Sequence, residues 1–165
     1  MFPILASISD EHYEATVVVE KKSYITAKIA WDAGATSLYW QLVDPEFSLL
    51  ELGFEWPSGR LVKCAVPLFN GEVEDKQSES LPSATPGTPF FDLSLWTVDT
   101  TDPAARGNHL DEPGRIRLVK KNGGLSIICM DSFPVSSVVY AEKLICDFGP
   151  RGELIAITLV GHFPL

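Results

Sequence analysis

Apolar residues in this chain come in short runs that alternate with polar ones at a spacing of two, as in "YITAKIAW" (24–31) and "SLYWQLV" (37–43). That period belongs to half-buried strands rather than helices. The runs are rich in Val, Ile, Thr, Trp and Tyr, and Gly, Pro, Asp and Asn separate them, so the pattern predicts an all-β protein. Strands are expected in the first half at 15–20, 24–31, 37–43, 49–56 and 60–66. The second half supplies 91–98, 115–121, 125–130, 141–148 and 153–160.

The two sets carry the same punctuation. "EWPSGRLVKCAV" (55–66) returns in altered form as "FGPRGELIAITL" (148–159), with Pro57, Gly59, Leu61 and Val62 matched by Pro150, Gly152, Leu154 and Ile155. The third run of each half ends in an aspartate, Asp44 and Asp131. The chain therefore reads as one domain, 1–165, made of two similar antiparallel meanders of about five strands (13–68 and 90–161), each closed by a hairpin whose glycine can take positive φ.

Between the halves, residues 70–89 are polar and rich in Pro and Ser, the composition of a linker held against the body. It has to travel back along a strand, roughly 20 Å at about 3.3 Å per residue, and is long enough to do so. The meanders are then expected to pack as a β-sandwich or to close as a barrel. "LSIICM" (125–130) and "ELIAITLV" (153–160) are apolar on both faces, which predicts central or covered strands.

The formal net charge of −9 repels phosphate backbones and anionic membrane surfaces, so neither nucleic acid nor membrane is an expected partner. An acidic surface serves solubility, and it also steers a cationic protein. Cys64, Cys129 and Cys146 form no CxxC pair and sit in apolar runs, as buried, reduced core residues do. The apolar start "MFPILASISDEHYE" lacks a basic n-region, and no run reaches the length of a membrane-spanning helix. A cytoplasmic location is the expectation.

Counting strand directions sorts the loops. "DAGAT", "PSG", "NGG" and "PRG" fall at one end of the meanders, near Arg60, Lys121 and Arg151. The other end collects Asp44, Glu46, Glu72, Glu74, Asp75, Asp99, Asp102, Asp111, Glu112 and Asp131, diluted by Lys21, Lys22, Lys76 and Arg106. All of these acids except Asp131 form the candidate partner-binding set, on loops displayed by a rigid scaffold. His12, His109 and His162 show no metal spacing, and the chain lacks a GxSxG elbow, a P-loop and a dinucleotide fingerprint. His109 beside Asp111 and Glu112 is the one cluster that could ligate a cation or work as acid and base, and a solvated loop is the better explanation of it. No enzyme activity, metal or cofactor is expected. Trp31, Trp40, Trp56 and Trp96 lie in strand runs, where core packing is the ordinary role and lining a ligand cavity the alternative.

The segment "VVYAEKLICDFGPRGELIAITLVG" (138–161) resembles the C-terminal hairpin of a family of small uncharacterised bacterial β domains. As a compact acidic protein without catalytic motifs, the chain also resembles bacterial immunity proteins, including those of contact-dependent growth inhibition. That resemblance implies tight binding of a basic, nuclease-type toxin domain and carries over no individual residue. A small-molecule or lipid-binding β module is the alternative expectation.

Overall fold

From Leu38 to Asp44 the side chains of Leu38, Trp40, Leu42 and Asp44 are buried while Val43 points out, so the period of two sets one face against a core. The computed structural model describes residues 1–22, 25–31, 38–46, 48–81, 83–99, 101–102, 105–131 and 133–165. The predicted turn "DAGAT", the strand starts at Tyr24 and Ser37, and the side chain of Arg106 lie outside the described residues.

The first part of the chain forms β1 (Leu5–Ser9), β2 (Ala15–Lys21), β3 (Ile25–Trp31), β4 (Leu38–Asp44), β5 (Ser48–Phe54) and β6 (Leu61–Phe69). Then follow β7 (Val73–Ser80), β8 (Thr85–Pro86), β9 (Thr88–Phe91), a 3₁₀ turn at Arg106–Asn108 and β10 (His109–Pro113). The remainder is β11 (Arg117–Asn122), β12 (Gly124–Ile128), β13 (Ser137–Ala141), β14 (Leu144–Phe148) and β15 (Leu154–Val160). The protein is all-β and sandwich-like. A six-stranded sheet, β10-β4-β5-β6-β3-β2, and a seven-stranded sheet, β7-β11-β12-β15-β14-β13-β8, stay open rather than closing as a barrel, and β1 pairs with β9 in a small ribbon.

The five main strands of each half share one order. In chain order within each half, the fifth strand lies between the second and the fourth: β6 between β3 and β5, and β15 between β12 and β14. This corrects the meander connectivity, and in the second half the five strands of this order are not the five predicted: β13 and β14 take the place of the single run 141–148, and 91–98 drops out. Strands β12 and β15, apolar on both faces, are interior neighbours in their sheet, as their composition predicts. The recurring hairpin is the link from fourth to fifth strand in both sheets, with Gly59 at φ 79° and Gly152 at φ 80°.

Three stretches differ from the sequence reading. The linker 70–89 is largely strand, and β7 runs parallel to β11 at a sheet edge, where charged residues are tolerated because one side faces water. In 91–98 only Phe91 is in a strand. The rest of that segment drapes over the sheet, with Trp96 Nε1 donating to Tyr39 O at 3.0 Å and its ring edge-on to Phe54 at 5.4 Å. The run 141–148 breaks at Glu142, which adopts φ 55° in the turn between β13 and β14.

One core joins the layers. Trp40, Phe54 and Phe148 are fully buried, and Phe91 bridges Phe54 (5.1 Å) and Phe148 (5.9 Å) across the two sheets. Trp40 and Trp96 are core residues, Trp31 packs against the core, and Trp56 is 40% exposed on its turn. Cys64, Cys129 and Cys146 are buried and unpaired with one another, and burial pushes all three thiols up, Cys129 to about 12.

On the outer face of the seven-stranded sheet, Asp147 lies between β13 and β15 with its Oδ1 buried and lacking a hydrogen bond. Burial raises its carboxyl above the usual range, and Lys121 offsets only part of that. A carboxyl raised by folding contributes its full stability below its unfolded value and loses it as pH climbs through the folded one. Asp147→Asn is therefore expected to stabilise the protein by about 1 kcal/mol at pH 7, the low end of the cost of a buried unpaired acceptor. Thermal melts should show that gain fading near pH 4, and an equal gain at both pH values would contradict it.

Candidate binding site

The predicted acids do not form one rim. Asp44 is only 6% exposed, and both its oxygens accept backbone N–H bonds, Oδ1 from Glu46 (2.8 Å) and Oδ2 from Ile116 (2.8 Å). Its assignment to a partner surface is corrected: it ties the β4–β5 turn to the crossover entering β11. Glu46 is exposed, with Arg115 at 4.0 Å. Glu74 takes Arg117 through two bonds of 2.6 and 2.7 Å, and Asp131 binds the same guanidinium. That pairing holds the Glu74 carboxyl below its usual range.

Glu72 and Asp75 border a groove that also contains Lys21, Lys22 and Lys120. Asp99 accepts from the backbone and hydroxyl of Thr101, and buried Asn108 donates to the carbonyls of Asp99 and Asp102, ordering the segment before β10. On β10, Glu112 pairs with the amino group of Met1 and Asp111 is exposed. His109 stacks on Tyr39 at 4.9 Å rather than joining its acidic neighbours in a cluster. Among the described residues, no group of His, Cys, Asp and Glu has the arrangement of a metal site.

A better-formed site lies where the chain start meets the second glycine hairpin. Residues Pro3 to Leu5 zip onto that hairpin, with Leu5 N–H donating to Gly152 O (2.8 Å) and Leu154 N–H to Pro3 O (2.9 Å). Beside this seam opens a cleft of about 650 Å³. Phe2, Ile4, Met130 and Phe133 give it apolar walls, and Arg115, Asp131, Arg151 and Glu153 supply charge.

Glu153 is buried under the turn. Its Oε2 accepts from Arg151 N–H at 2.8 Å, and its Oε1 faces Arg151 Nε at 3.6 Å, an ion pair beyond hydrogen-bond reach. Gly149 makes this fold-back feasible, because a β-carbon there would stand 2.7 Å from Glu153 Cδ. The backbone N–H of Glu153 itself, then the amide and guanidinium of Arg151, hold its carboxyl below the usual range. Arg151 in turn sits 5.7 Å from the Phe133 ring centroid, within cation–π distance. The side chains of Arg115 and Arg151 remain 81% and 77% exposed, each near a carboxylate, Glu46 at 4.0 Å and Glu153 at 3.6 Å, and they share the cleft with Asp131.

The sequence predicts Arg151 on a tight turn and the binding loops at the opposite end. The turn at Glu142 reverses every later strand direction, which brings Asp131 and Phe133 to the same end as the Arg151 turn. The basic residue within the repeated Pro-x-Gly turn was the available signal. In comparison with known proteins, no family model matches this chain and no curated protein sequence is significantly similar to it.

Proposed function

We propose that the protein is a non-enzymatic binding module that holds a small amphipathic anion in the Arg115–Arg151 cleft. One observation carries this reading: two exposed arginine side chains, Arg115 and Arg151, line an apolar-walled cleft of about 650 Å³. That volume falls in the usual range of small-molecule sites, and a planar guanidinium matches carboxylate and phosphate oxygens. The net charge of −9 opposes an anion at long range. Screening removes most of that field beyond about 8 Å at physiological ionic strength, so the local arginines decide.

Calorimetric titration with decanoate and with octyl phosphate tests the proposal. Binding of at least one probe is expected, with an affinity loss of about tenfold in Arg151→Ala and again in Arg115→Ala, the worth of a charge-assisted hydrogen bond. Heat from neither probe, or binding indifferent to both substitutions, would overturn it.

A second reading rests on the net charge of −9 and on predicted acids that stay exposed, Glu72, Asp75 and Asp111 among them. It is a cytoplasmic immunity protein that masks a cationic, nuclease-type toxin. Electrostatic steering then sets the association rate. Reversing Glu72, Asp75 and Asp111 to Lys should slow association with a basic protein recovered by pull-down and flatten its salt dependence. An unchanged rate at low salt would discard this surface.

A further inference from the structure

The two sheets are built alike, yet they treat their first main strand differently. Strand β11 has its outer edge covered by β7, which runs parallel to it from Leu118↔Val73 to Lys121↔Lys76. Its counterpart β2 ends the six-stranded sheet, and among the described residues no strand lies beyond it. Bare edges present unpaired N–H and C=O groups, and proteins blunt them with charge, proline or brevity. Strand β7 carries Glu74, Asp75 and Lys76; β8 is two residues long and ends in Pro86; β10 carries Asp111 and Glu112 and ends in Pro113. Strand β2 has seven residues, three consecutive valines and no proline; its charged residues, Glu20 and Lys21, fall at its last two positions, and Val18 at its centre is 48% exposed.

We infer that β2 is an interaction edge whose occupant is β2 of a second copy of this chain, paired antiparallel about Val18. The sequence around it is self-complementary in that register. Val18 meets Val18, Val17 meets Val19, Thr16 meets Glu20, and Glu14 meets Lys22 twice, once on each side of the two-fold axis, with Lys22 also 3.2 Å from Glu20 of its own chain. The faces match as well: Glu14, Thr16, Val18, Glu20 and Lys22 are exposed, whereas Ala15, Val17 and Val19 turn towards the core. Centring the pair on Val17 instead would oppose Glu14 to Glu20, and opposed like charges on neighbouring strands are unfavourable. At one end of the edge Lys143 Nζ donates to Ala15 O at 3.3 Å, so that carbonyl already has a partner, and Glu14 and Lys22 meet beyond it through their side chains. The product is two six-stranded sheets continued edge to edge, with Val17 and Val19 of both copies extending one apolar face.

Sedimentation equilibrium of the whole chain, up to about 0.2 mM to reach weak association, decides the matter. A dimer is expected. Val18→Lys, Glu14→Lys and Lys22→Glu should each raise its dissociation constant by about tenfold. The double variant Glu14→Lys/Lys22→Glu restores opposite charges across the axis and should return to within about threefold of the parent. All these side chains are exposed, and thermal melts verify that each variant folds. A monomer throughout the concentration range would overturn the inference. So would a dimer that the single charge reversals leave intact or that the double variant fails to restore.

Discussion

Gly59→Ala is expected to cost about 3–4 kcal/mol, while the same change at the equivalent Gly152 costs about 1–2. Both glycines hold the turn between the fourth and fifth strands at nearly the same φ, 79° and 80°. An alanine at either position carries the left-handed penalty of an L-residue, about 1–2 kcal/mol. Their surroundings differ. A β-carbon on Gly59 would collide with the carbonyl oxygen of Phe91 and lie 3.2 Å from its carbonyl carbon, whereas on Gly152 the nearest atom is Leu5 O at 3.3 Å. Phe91 has little room to retreat, because its N–H bonds Gly59 O at 2.8 Å and its ring bridges Phe54 and Phe148 across the layers. Overpacking of that kind adds about 1–3 kcal/mol. In urea titrations the Gly59 variant should lose about twice the stability lost at Gly152, with a melting point about 10 °C below the parent in a domain of this size. Equal losses would show that φ alone sets the cost and that the ribbon yields.

The repeated hairpin was legible in the sequence because turn chemistry is local: Pro, Gly and the apolar run after them specify it without reference to the rest of the chain. The all-β class was legible for the same reason. Strand order was not. Consecutive pairing is the default only when a tight turn joins two strands, and the connection from β12 to β13 is a longer segment, Cys129 to Ser136, that lets β15 enter between β12 and β14. Edge strands were lost because they lack the signal that reveals interior ones. Strand β7, "VEDKQSES", has one solvated edge and little to bury, so no alternation marks it.

The site was still less legible. Arg151 and Glu153 come from one turn, but Phe2 and Ile4 reach it from the chain start, and Arg115 from the crossover into β11. Only tertiary pairing brings these segments together. The acids misled for a related reason. Charge counted along a sequence omits the partners that neutralise it, and here Arg117 takes Glu74 and Asp131 while Met1 takes Glu112.

Asp44→Ala should lose about 3 kcal/mol, against less than about 1 for Asp131→Ala. The two aspartates looked equivalent in sequence, each closing the third strand-like run of its half. In the fold Asp44 ends β4, the third main strand of its half, while Asp131 follows β12, the second. Their surroundings diverge accordingly. Asp131 is 59% exposed and shares Arg117 with Glu74, and exposed ion pairs contribute little. Asp44 is 6% exposed, and its removal strands the N–H groups of Glu46 and Ile116, each costing about 1–3 kcal/mol when left without a partner. Ile116 is itself a core residue, so its N–H has little access to water. Asp44→Asn, which keeps one acceptor and turns a donor towards the other N–H, should fall between the parent and the alanine variant. Denaturant melts of the three variants would settle the order. If Asp44→Ala melts with the parent, the carboxylate is not the clasp between the β4–β5 turn and the crossover into β11, and its place among the surface acids reopens.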